Sequence, residues 1–224
     1  MFCRHAGAAD VPADEELRRV LPVLRRLVGE LPVPVSVDTR RAEVMRQCLA
    51  EGAGMINDIN ALREPGALEA VAGTGAAVCL MHMRGQPRTM QQAPQYADVV
   101  AEVEAFLRQQ AQRCEEAGIG AERAVLDPGI GFGKSVEHNV ALLKATQRLS
   151  ALGYPLLIGV SRKSLIGALL DDAALEDRLF GSVGAAVAAG LAGARLLRVH
   201  DVRATRDALR VAWAVSTQED GGEQ

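Results

Sequence analysis

Residues 124–135 read AVLDPGIGFGKS, a short apolar run that ends at Asp127 and continues into a glycine-rich turn. Other apolar runs along the chain also end in polar or ionisable residues, at Asp38, Asn57, His82, 161–163 and 198–201. In a (β/α) barrel, the carboxyl ends of successive parallel strands meet at one face, where side chains from distant parts of the sequence form one site. The repeated arrangement therefore predicts a barrel with a single site at that face.

Strand and helix patterns alternate from residue 33 onward, after an amphipathic helix at 12–29 whose apolar stripe we expect to pack on a sheet. The predicted strands are 33–38, 55–59, 76–83, 124–128, 155–161 and 195–200. The predicted helices between and after them are 41–51, 65–72, 97–117, 137–152, 178–193 and 203–215. Strict alternation indicates a parallel sheet, and nearly continuous apolar strands indicate burial on both faces.

The fold class that this pattern predicts is α/β, a (β/α)8 TIM barrel of which about six strands are present and the first two are missing. No composition break divides the chain, so we expect one domain over residues 1–224 that is incomplete at its N-terminus, with a frayed tail at 217–224. Six strands cannot close with the usual tilt and stagger, so two strand edges stay open unless another chain covers them. We interpret the chain as a truncated gene product or one with a mis-set start.

The composition argues against several classes of protein. The net charge is -3 and aromatic residues make up 3%, with no basic stripe, so nucleic acid is not an expected partner. No apolar stretch approaches the ~20 residues that span a bilayer, and no signal peptide precedes the first helix, so we expect no membrane partner. The cysteines are scattered and form no CxxC pair, which favours a reduced, cytoplasmic location without a cysteine metal site.

A polar, proline-bearing connection occupies residues 84–96, RGQPRTMQQAPQY. Its length is typical of a functional loop over a site, although a solvated insertion explains the composition equally well.

The DPGIGFGKS motif combines a carboxylate at a strand end with glycines that let the backbone approach a ligand closely. Asp127 can accept two parallel hydrogen bonds from an amidine-like edge, such as that of a pterin or guanine, and Phe132 offers a ring face. The glycine and lysine spacing is not that of a Walker motif. A plain turn with a helix-capping Asp127 is the alternative.

Two further motifs predict anion binding. In SRKS, Lys163 directly follows a buried strand and precedes a helix start, although a solvated surface lysine is the alternative. In RVHD, Arg198 and His200 are two residues apart and point to the same face, which suits a diphosphate. The alternative for Arg198 is a salt bridge to Asp201 or to another acid.

The remaining strand ends carry weaker signals. Asp38 and Asn57 are either ligand contacts or ordinary helix caps. Met81 and Met83 are typical of a core, and a lone His82 more often makes a structural hydrogen bond.

Taken in order, the motifs SVDT, NDI, LMHM, DPGIGFGK, GVSRKS and RVHDV resemble the strand-end motifs of the dihydropteroate synthases, in the pterin-binding TIM-barrel family. The resemblance covers approximately residues 7–215. It implies a transferase of folate biosynthesis that condenses 4-aminobenzoate with 6-hydroxymethyl-7,8-dihydropterin diphosphate to give 7,8-dihydropteroate and diphosphate. It also implies a sulfonamide target, small-molecule substrates as partners and a homodimer formed through the later helices.

The resemblance further implies a role for each matching residue. The catalytic residues would be Lys163, Asp127, Arg198 and His200. The pterin would contact Asp38, Asn57, Met81, Asp127, Gly159 and Lys163. The aminobenzoate would contact Phe132, Lys163 and Ser164, and the diphosphate would contact Arg198 and His200. Mg²⁺ is expected from the family, but its asparagine ligand belongs to the missing first strand. Residues 3–7, CRHAG, stand where the family has Ser-Thr-Arg-Pro-Gly.

Three alternatives stay open at this point. A pterin-dependent methyltransferase domain would keep the Asp and Asn contacts but has no need of SRKS or RVH. An aldolase would form a Schiff base on Lys163, although the adjoining Arg162 and Ser164 favour anion binding. A non-catalytic pterin-binding fragment or paralogue is the third. Small residues in helix 178–193, at Gly184, Ala188 and Gly190, are explained either by packing within the domain or by a dimer contact.

Overall fold

Six parallel strands lie side by side in chain order in the computed structural model, which describes residues 11–85, 90 and 94–216. They are β1 (Ser36–Asp38), β2 (Met55–Asp58), β3 (Ala77–Met81), β4 (Ala124–Asp127), β5 (Leu157–Ile158) and β6 (Leu196–Leu197). Strands β1 to β4 form one sheet, and β5 and β6 form a second. A parallel bridge between Leu126 and Leu156 joins the two sheets. The predicted parallel α/β barrel with six strands is confirmed.

Helices connect each strand to the next. They are α1 (Ala13–Glu30), α2 (Ala42–Ala50), α3 (Ala67–Ala72), α4 (Val99–Glu116), α5 (Val136–Lys144), α6 (Thr146–Ser150), α7 (Ser164–Leu169), α8 (Leu179–Leu191) and α9 (Val202–Ser216). None of these described helices combines the length and the apolar character that crossing a lipid bilayer requires.

The hydrophobic core is deepest at the central strands. All four residues of β4 are buried, whereas β1 buries only Val37 and both residues of β6 are half-buried. Along β3 and β4, Val78, Leu80 and Leu126 belong to the main core, while Cys79 and Val125 belong to a second, smaller cluster. Because alternate residues of a strand point to opposite faces, the smaller cluster fills the concave side of the sheet. The open edges therefore have thinner cover than the centre.

Several predicted boundaries are wrong. The strands predicted at 33–38, 76–83, 155–161 and 195–200 are each shorter in the structure. The last two end early because their following residues bond to each other through side chains: the His200 N–H donates to Ser161 Oγ at 3.2 Å. An apolar run in the sequence does not show where a backbone N–H begins to bond a side chain instead of the neighbouring strand.

The helix predictions need three corrections. The helix predicted at 137–152 is two helices, α5 and α6, separated at Ala145. The six-residue helix α7 was foreseen only as a helix start. The helix predicted at 12–29 is α1, and it packs mainly on α2 rather than on the sheet, because β1 beside it has only three residues.

Parts of three predictions lie outside the described residues. They are the motif at 3–7, most of the connection at 84–96, and the tail at 217–224.

Candidate functional site

A cavity of about 640 Å³ opens at the carboxyl ends of the strands. Every strand contributes to its wall, either through its last residue or through the residues that follow it. The predicted site residues that line the cavity are Asp38, Asn57, Met81, Asp127, Phe132, Gly159, Lys163, Arg198 and His200. Asp38 and Arg198, which are 160 positions apart in the sequence, therefore share one site, as parallel strand ends in a barrel require.

Asp127 ends the buried central strand β4 and is itself only 7% exposed. Its Oδ1 accepts a hydrogen bond of 2.7 Å from the Gly129 N–H, so the carboxylate is anchored to its own loop. Burial raises the pKa of Asp127, and the nearby positive charge of Lys163 opposes that rise. The result is a fixed, poorly hydrated acceptor at the wall of the cavity. The capping alternative for Asp127 is wrong, because Ser135 caps the following helix, α5.

Lys163 crosses from the end of β5 to the loop that follows β4. Its Nζ donates to the Ile130 carbonyl and lies 4.7 Å from the centre of the Phe132 ring. A Cβ atom at Gly131 would lie 3.2 Å from Lys163 Cδ, and one at Gly159 would lie 3.9 Å from Nζ. The two glycines therefore leave the space that the lysine side chain occupies.

Asp38 and Arg198 connect the two outermost strands. Arg198 Nη2 lies 3.0 Å from Asp38 Oδ2, and Asn57 Nδ2 donates to Asp38 Oδ1 at 2.8 Å. Neither Asp38 nor Asn57 caps a helix, since the residues before α2 and α3 are Arg41 and Gly66. The salt-bridge alternative for Arg198 holds with Asp38 as the acid.

One acceptor at this edge has no hydrogen-bond partner among the described residues. It is the buried Oδ1 of Asn57, a residue that lines the cavity. A buried polar atom without a partner is costly, so a ligand donor would find a ready acceptor there.

The SRKS and RVHD segments are joined by two contacts. His200 Nδ1 lies 3.0 Å from Ser161 Oγ, which orients the imidazole. Arg162 donates from Nε and Nη2 to both oxygens of Asp201, at 2.8 and 2.7 Å, and this pairing lowers the pKa of Asp201. Asp201 is thus the partner of Arg162, not of Arg198.

Ser164 is the predicted site residue that does not line the cavity. It is the first residue of α7, and its side chain is exposed. Lys163, one position earlier, occupies the N-cap and faces the cavity.

Some cavity residues were missed by sequence reasoning. Thr39 and Arg40 directly follow the strand predicted at 33–38, so their positions carried a usable signal. Ser161 and Arg162 belong to the SRKS motif that the sequence singles out, but neither was assigned a contact of its own. Glu16, Arg19 and Val20 come from α1, and no strand-end pattern marks them.

The methionines and histidine of LMHM have structural surroundings. Met81, Met83 and Met90 form a small cluster against Ile59 and Phe132. His82 is buried and lies 3.0 Å through Nδ1 from Lys134 Nζ, which confirms the structural hydrogen bond. Burial lowers the pKa of His82 to about 3, with a further contribution from Lys134.

The metal expected from the family has no donor set in the described part of the chain. Residues 11–85, 90 and 94–216 contain no group of three His, Cys, Asp or Glu side chains that could hold a metal ion.

Comparison with known proteins places this geometry in one family. Residues 4–200 match the family described as pterin binding enzyme. The dihydropteroate synthase of Escherichia coli K12 is 50% identical over 214 residues, covering 96% of this chain and 76% of the relative. That of Haemophilus influenzae is 48% identical over 205 residues, covering 92% and 74%.

Solved structures agree in fold as well as in sequence. The Xanthomonas albilineans dihydropteroate synthase with 4-aminobenzoic acid has a TM-score of 0.90 at 53% identity, covering 96% of this chain and 76% of that one. The same enzyme in complex with 7,8-dihydropteroate has a TM-score of 0.87 at 52% identity, covering 94% of this chain and 79% of that one. The Yersinia pestis enzyme with a sulfonamide drug has a TM-score of 0.90 at 45% identity, covering 95% of this chain and 76% of that one.

Proposed function

The chain belongs to the dihydropteroate synthases of the pterin-binding enzyme family, transferases of folate biosynthesis, and we propose that the cavity at its strand ends is where the two substrates condense. The substrates are 4-aminobenzoate and 6-hydroxymethyl-7,8-dihydropterin diphosphate. The observation that carries the proposal is the convergence of Asp127, Lys163 and Arg198 on one cavity of about 640 Å³. That volume lies in the ordinary range for a small-molecule site.

The pterin binds at the end of the central strands in this proposal. The Asp127 carboxylate accepts hydrogen bonds from the 2-amino group and the adjacent ring N–H, an edge that matches two carboxylate oxygens. Asn57 Oδ1 supplies a further acceptor, Asp38 lies beside it, and Met81 packs along the ring. Lys163 Nζ donates to the exocyclic oxygen from the opposite side, where Gly159 leaves room.

The diphosphate binds at the outer strands. Arg198 provides a bidentate fork, and His200, oriented by Ser161, provides a second donor. Substrate binding exchanges the Arg198 contact with Asp38 for one with phosphate oxygens. Two donors fixed near the leaving group stabilise the charge that develops as diphosphate departs.

The bond changes balance within the two substrates. The C–O bond between the exocyclic methylene carbon and the diphosphate breaks, and diphosphate keeps the electron pair. The cation left on the methylene carbon is delocalised into the pterin, where the Asp127 carboxylate opposes its charge. The aniline nitrogen then forms the new C–N bond, and its proton passes to the released diphosphate.

The aminobenzoate ring lies between Phe132 and the aliphatic part of Lys163, whose Nζ lies 4.7 Å from the centre of the Phe132 ring. We assign its carboxylate to the start of α7 near Ser164, although Ser164 is exposed and outside the cavity wall. A sulfonamide drug, similar in shape to aminobenzoate, would bind in the same place.

The test is diphosphate release by the 224-residue chain given both substrates and Mg²⁺. Lys163→Met should reduce release by about 10²-fold, because it removes a charge-assisted donor from the reacting centre. Lys144→Met is the matched control, since Lys144 is an exposed lysine in the last turn of α5. Folded protein that binds the pterin but releases no diphosphate would contradict the proposal.

We also propose a homodimer and a cytosolic location. Exposed apolar side chains on α8 and α9, notably Phe180 at 84% and Val215 at 80%, support a contact through these helices. Gly190 serves packing within the domain, because a Cβ atom there would lie 2.8 Å from Leu209 Cδ2 of α9. A Cβ atom at Gly184 would meet no described atom within 4 Å outside its own helix. Cys48, Cys79 and Cys114 are buried free thiols, as is usual in a reducing compartment.

A further inference from the structure

Lys134 is a lysine buried beneath the loop that follows β4, with only 3% of its surface exposed. Its Nζ lies 3.0 Å from His82 Nδ1 and donates to the carbonyls of Gly129 and Phe132, each at 3.0 Å. A longer contact of 3.4 Å reaches the His82 carbonyl. These partners come from two segments, the end of β3 and the loop itself, so the ammonium group connects them.

The loop that follows β4 needs such a connection because its backbone lies against the residues that follow β3. Gly129, Gly131 and Gly133 all have positive φ, at 67°, 82° and 64°, which favours glycine. A Cβ atom at Gly129 would collide with the His82 carbonyl oxygen, so the loop lies directly on residues 82–84. The Lys134 contact with the Gly129 carbonyl is buried and the one with the Phe132 carbonyl is partly buried, and buried carbonyls require donors.

The segment that Lys134 ties down carries groups proposed to bind substrate. Phe132 lies in the cavity wall, and the Ile130 carbonyl accepts the hydrogen bond from Lys163 Nζ. Lys134 itself does not line the cavity. It therefore acts on the reaction through the loop that it holds and through its positive charge near Asp127.

We propose that Lys134 is a positioning residue, whose buried ammonium group fixes residues 128–133 against β3. Phe132 and the Ile130 carbonyl are then placed where they hold Lys163 and the aminobenzoate ring in position. The inference rests on the proposed function of the cavity. His82 is the other residue that holds the loop in place, and its ring packs edge-on against Phe106 at a centroid distance of 5.0 Å.

The surroundings of the ammonium group show what this arrangement costs. Desolvation lowers the pKa of Lys134 to about 7, although the negative charge of Asp127 acts in the opposite direction. Lys163 adds a like charge nearby. A methionine, nearly isosteric and uncharged, would avoid this desolvation cost but would leave the Gly129 and Phe132 carbonyls without the Lys134 donor. The expected benefit of the lysine is therefore the position of the loop.

The experiment compares Lys134→Met with Lys144→Met, the same substitution at an exposed lysine. Lys134→Met should raise the KM for aminobenzoate about tenfold, because displacing a binding group by a fraction of an ångström has effects of this size. Lys144→Met should match the wild type. Wild-type protein without any turnover would contradict the proposed function. Active wild type with an unchanged KM in Lys134→Met would overturn this inference alone.

A double-mutant cycle separates positioning from general damage. In a Phe132→Leu background, Lys134→Met should change the aminobenzoate KM by less than about twofold, since the group it positions is already gone. A tenfold effect in both backgrounds would overturn the assignment. If Lys134→Met does not fold, His82→Leu replaces it in the cycle, with an expected rise of about threefold that is likewise lost in the Phe132→Leu background. Additive effects of His82→Leu and Phe132→Leu would overturn the proposal in the same way.

Discussion

The centre and the edges of the strand array hold their functional groups by different means. At the centre, Asp127 is buried and bonded to the Gly129 backbone. At the edges, the side chains of Asp38 and Arg198 are 38% and 31% exposed and are held chiefly by each other and by Asn57. Packing thus fixes the central group, whereas the outer groups are paired charges that a ligand can separate.

This difference has energetic consequences. A partly exposed ion pair contributes about 0–1 kcal/mol to stability, so the Asp38–Arg198 contact does little to hold the fold together. A disturbed contact in a close-packed interior costs several times more. Substitutions at the centre should therefore change both activity and stability, and substitutions at the edge should change activity alone.

Asp127→Asn should have the largest effect on activity, a loss in kcat/KM of about 10³-fold or more, because the amide turns one acceptor toward the pterin into a mismatched donor. Asparagine keeps the volume and can still accept from the Gly129 N–H, so the protein should remain folded. Steady-state diphosphate release and thermal unfolding measure both properties. Asp207→Asn, at an exposed position on α9, is the control. Near-normal activity in Asp127→Asn would show that the central carboxylate is not a substrate contact.

Gly129→Ala tests the packing of the centre. The new Cβ would collide with the His82 carbonyl oxygen at a backbone position with φ of 67°, so the free energy of unfolding should fall by about 3 kcal/mol or more. Gly184→Ala in α8 meets no atom within 4 Å and should be neutral or stabilising by up to about 1 kcal/mol. Denaturant unfolding measures both variants. Equal stability of the two would refute the tight contact between the loop and β3.

Arg198→Gln tests the edge. It should lower kcat/KM for the pterin diphosphate by about 10²-fold, because a charge-assisted contact to the leaving group is lost. The free energy of unfolding should change by less than about 1 kcal/mol, since the ion pair with Asp38 is partly exposed. Arg206→Gln removes a comparable exposed pair, with Asp207, and should leave activity unchanged. A large stability loss in Arg198→Gln would mean that the outer strands depend on this pair for closure.

The pH dependence of stability tests how firmly His82 is buried at the centre. The folded-state pKa of His82 is about 3, against 6.5 for an ordinary histidine. Between these values the unfolded chain binds a proton at His82 and the folded chain does not, so the free energy of unfolding falls as the pH drops from 6.5 toward 3. His82→Gln should make this fall shallower in denaturant titrations at pH 7, 6, 5 and 4. Parallel curves for the two proteins would argue that His82 is protonated in the folded state.

Sequence reasoning was most successful where chemistry and local pattern coincide. Asp127, Lys163 and His200 each lie within three residues of the end of an apolar run, and the barrel geometry brings such positions together without further information. It was less successful where a neighbouring residue takes the contact. Arg162, not Arg198, pairs with Asp201, and Lys163 rather than Ser164 faces the cavity. Spacing along a strand cannot distinguish such candidates, because loop conformations at its end decide which side chain turns inward.

The amino-acid sequence by itself determined the parallel α/β pattern, the order of the strand-end motifs and the set of polar groups available to the site, since these depend on residue type and on a period of two along each strand. The tertiary structure alone decided which charges meet. The pairing of Asp38 with Arg198 depends on the curvature that brings the first and last strands together, and the burial of Lys134 depends on how its glycine-rich loop folds back onto β3. Contacts between distant segments are set by the summed packing of the whole domain, which no local stretch of sequence contains.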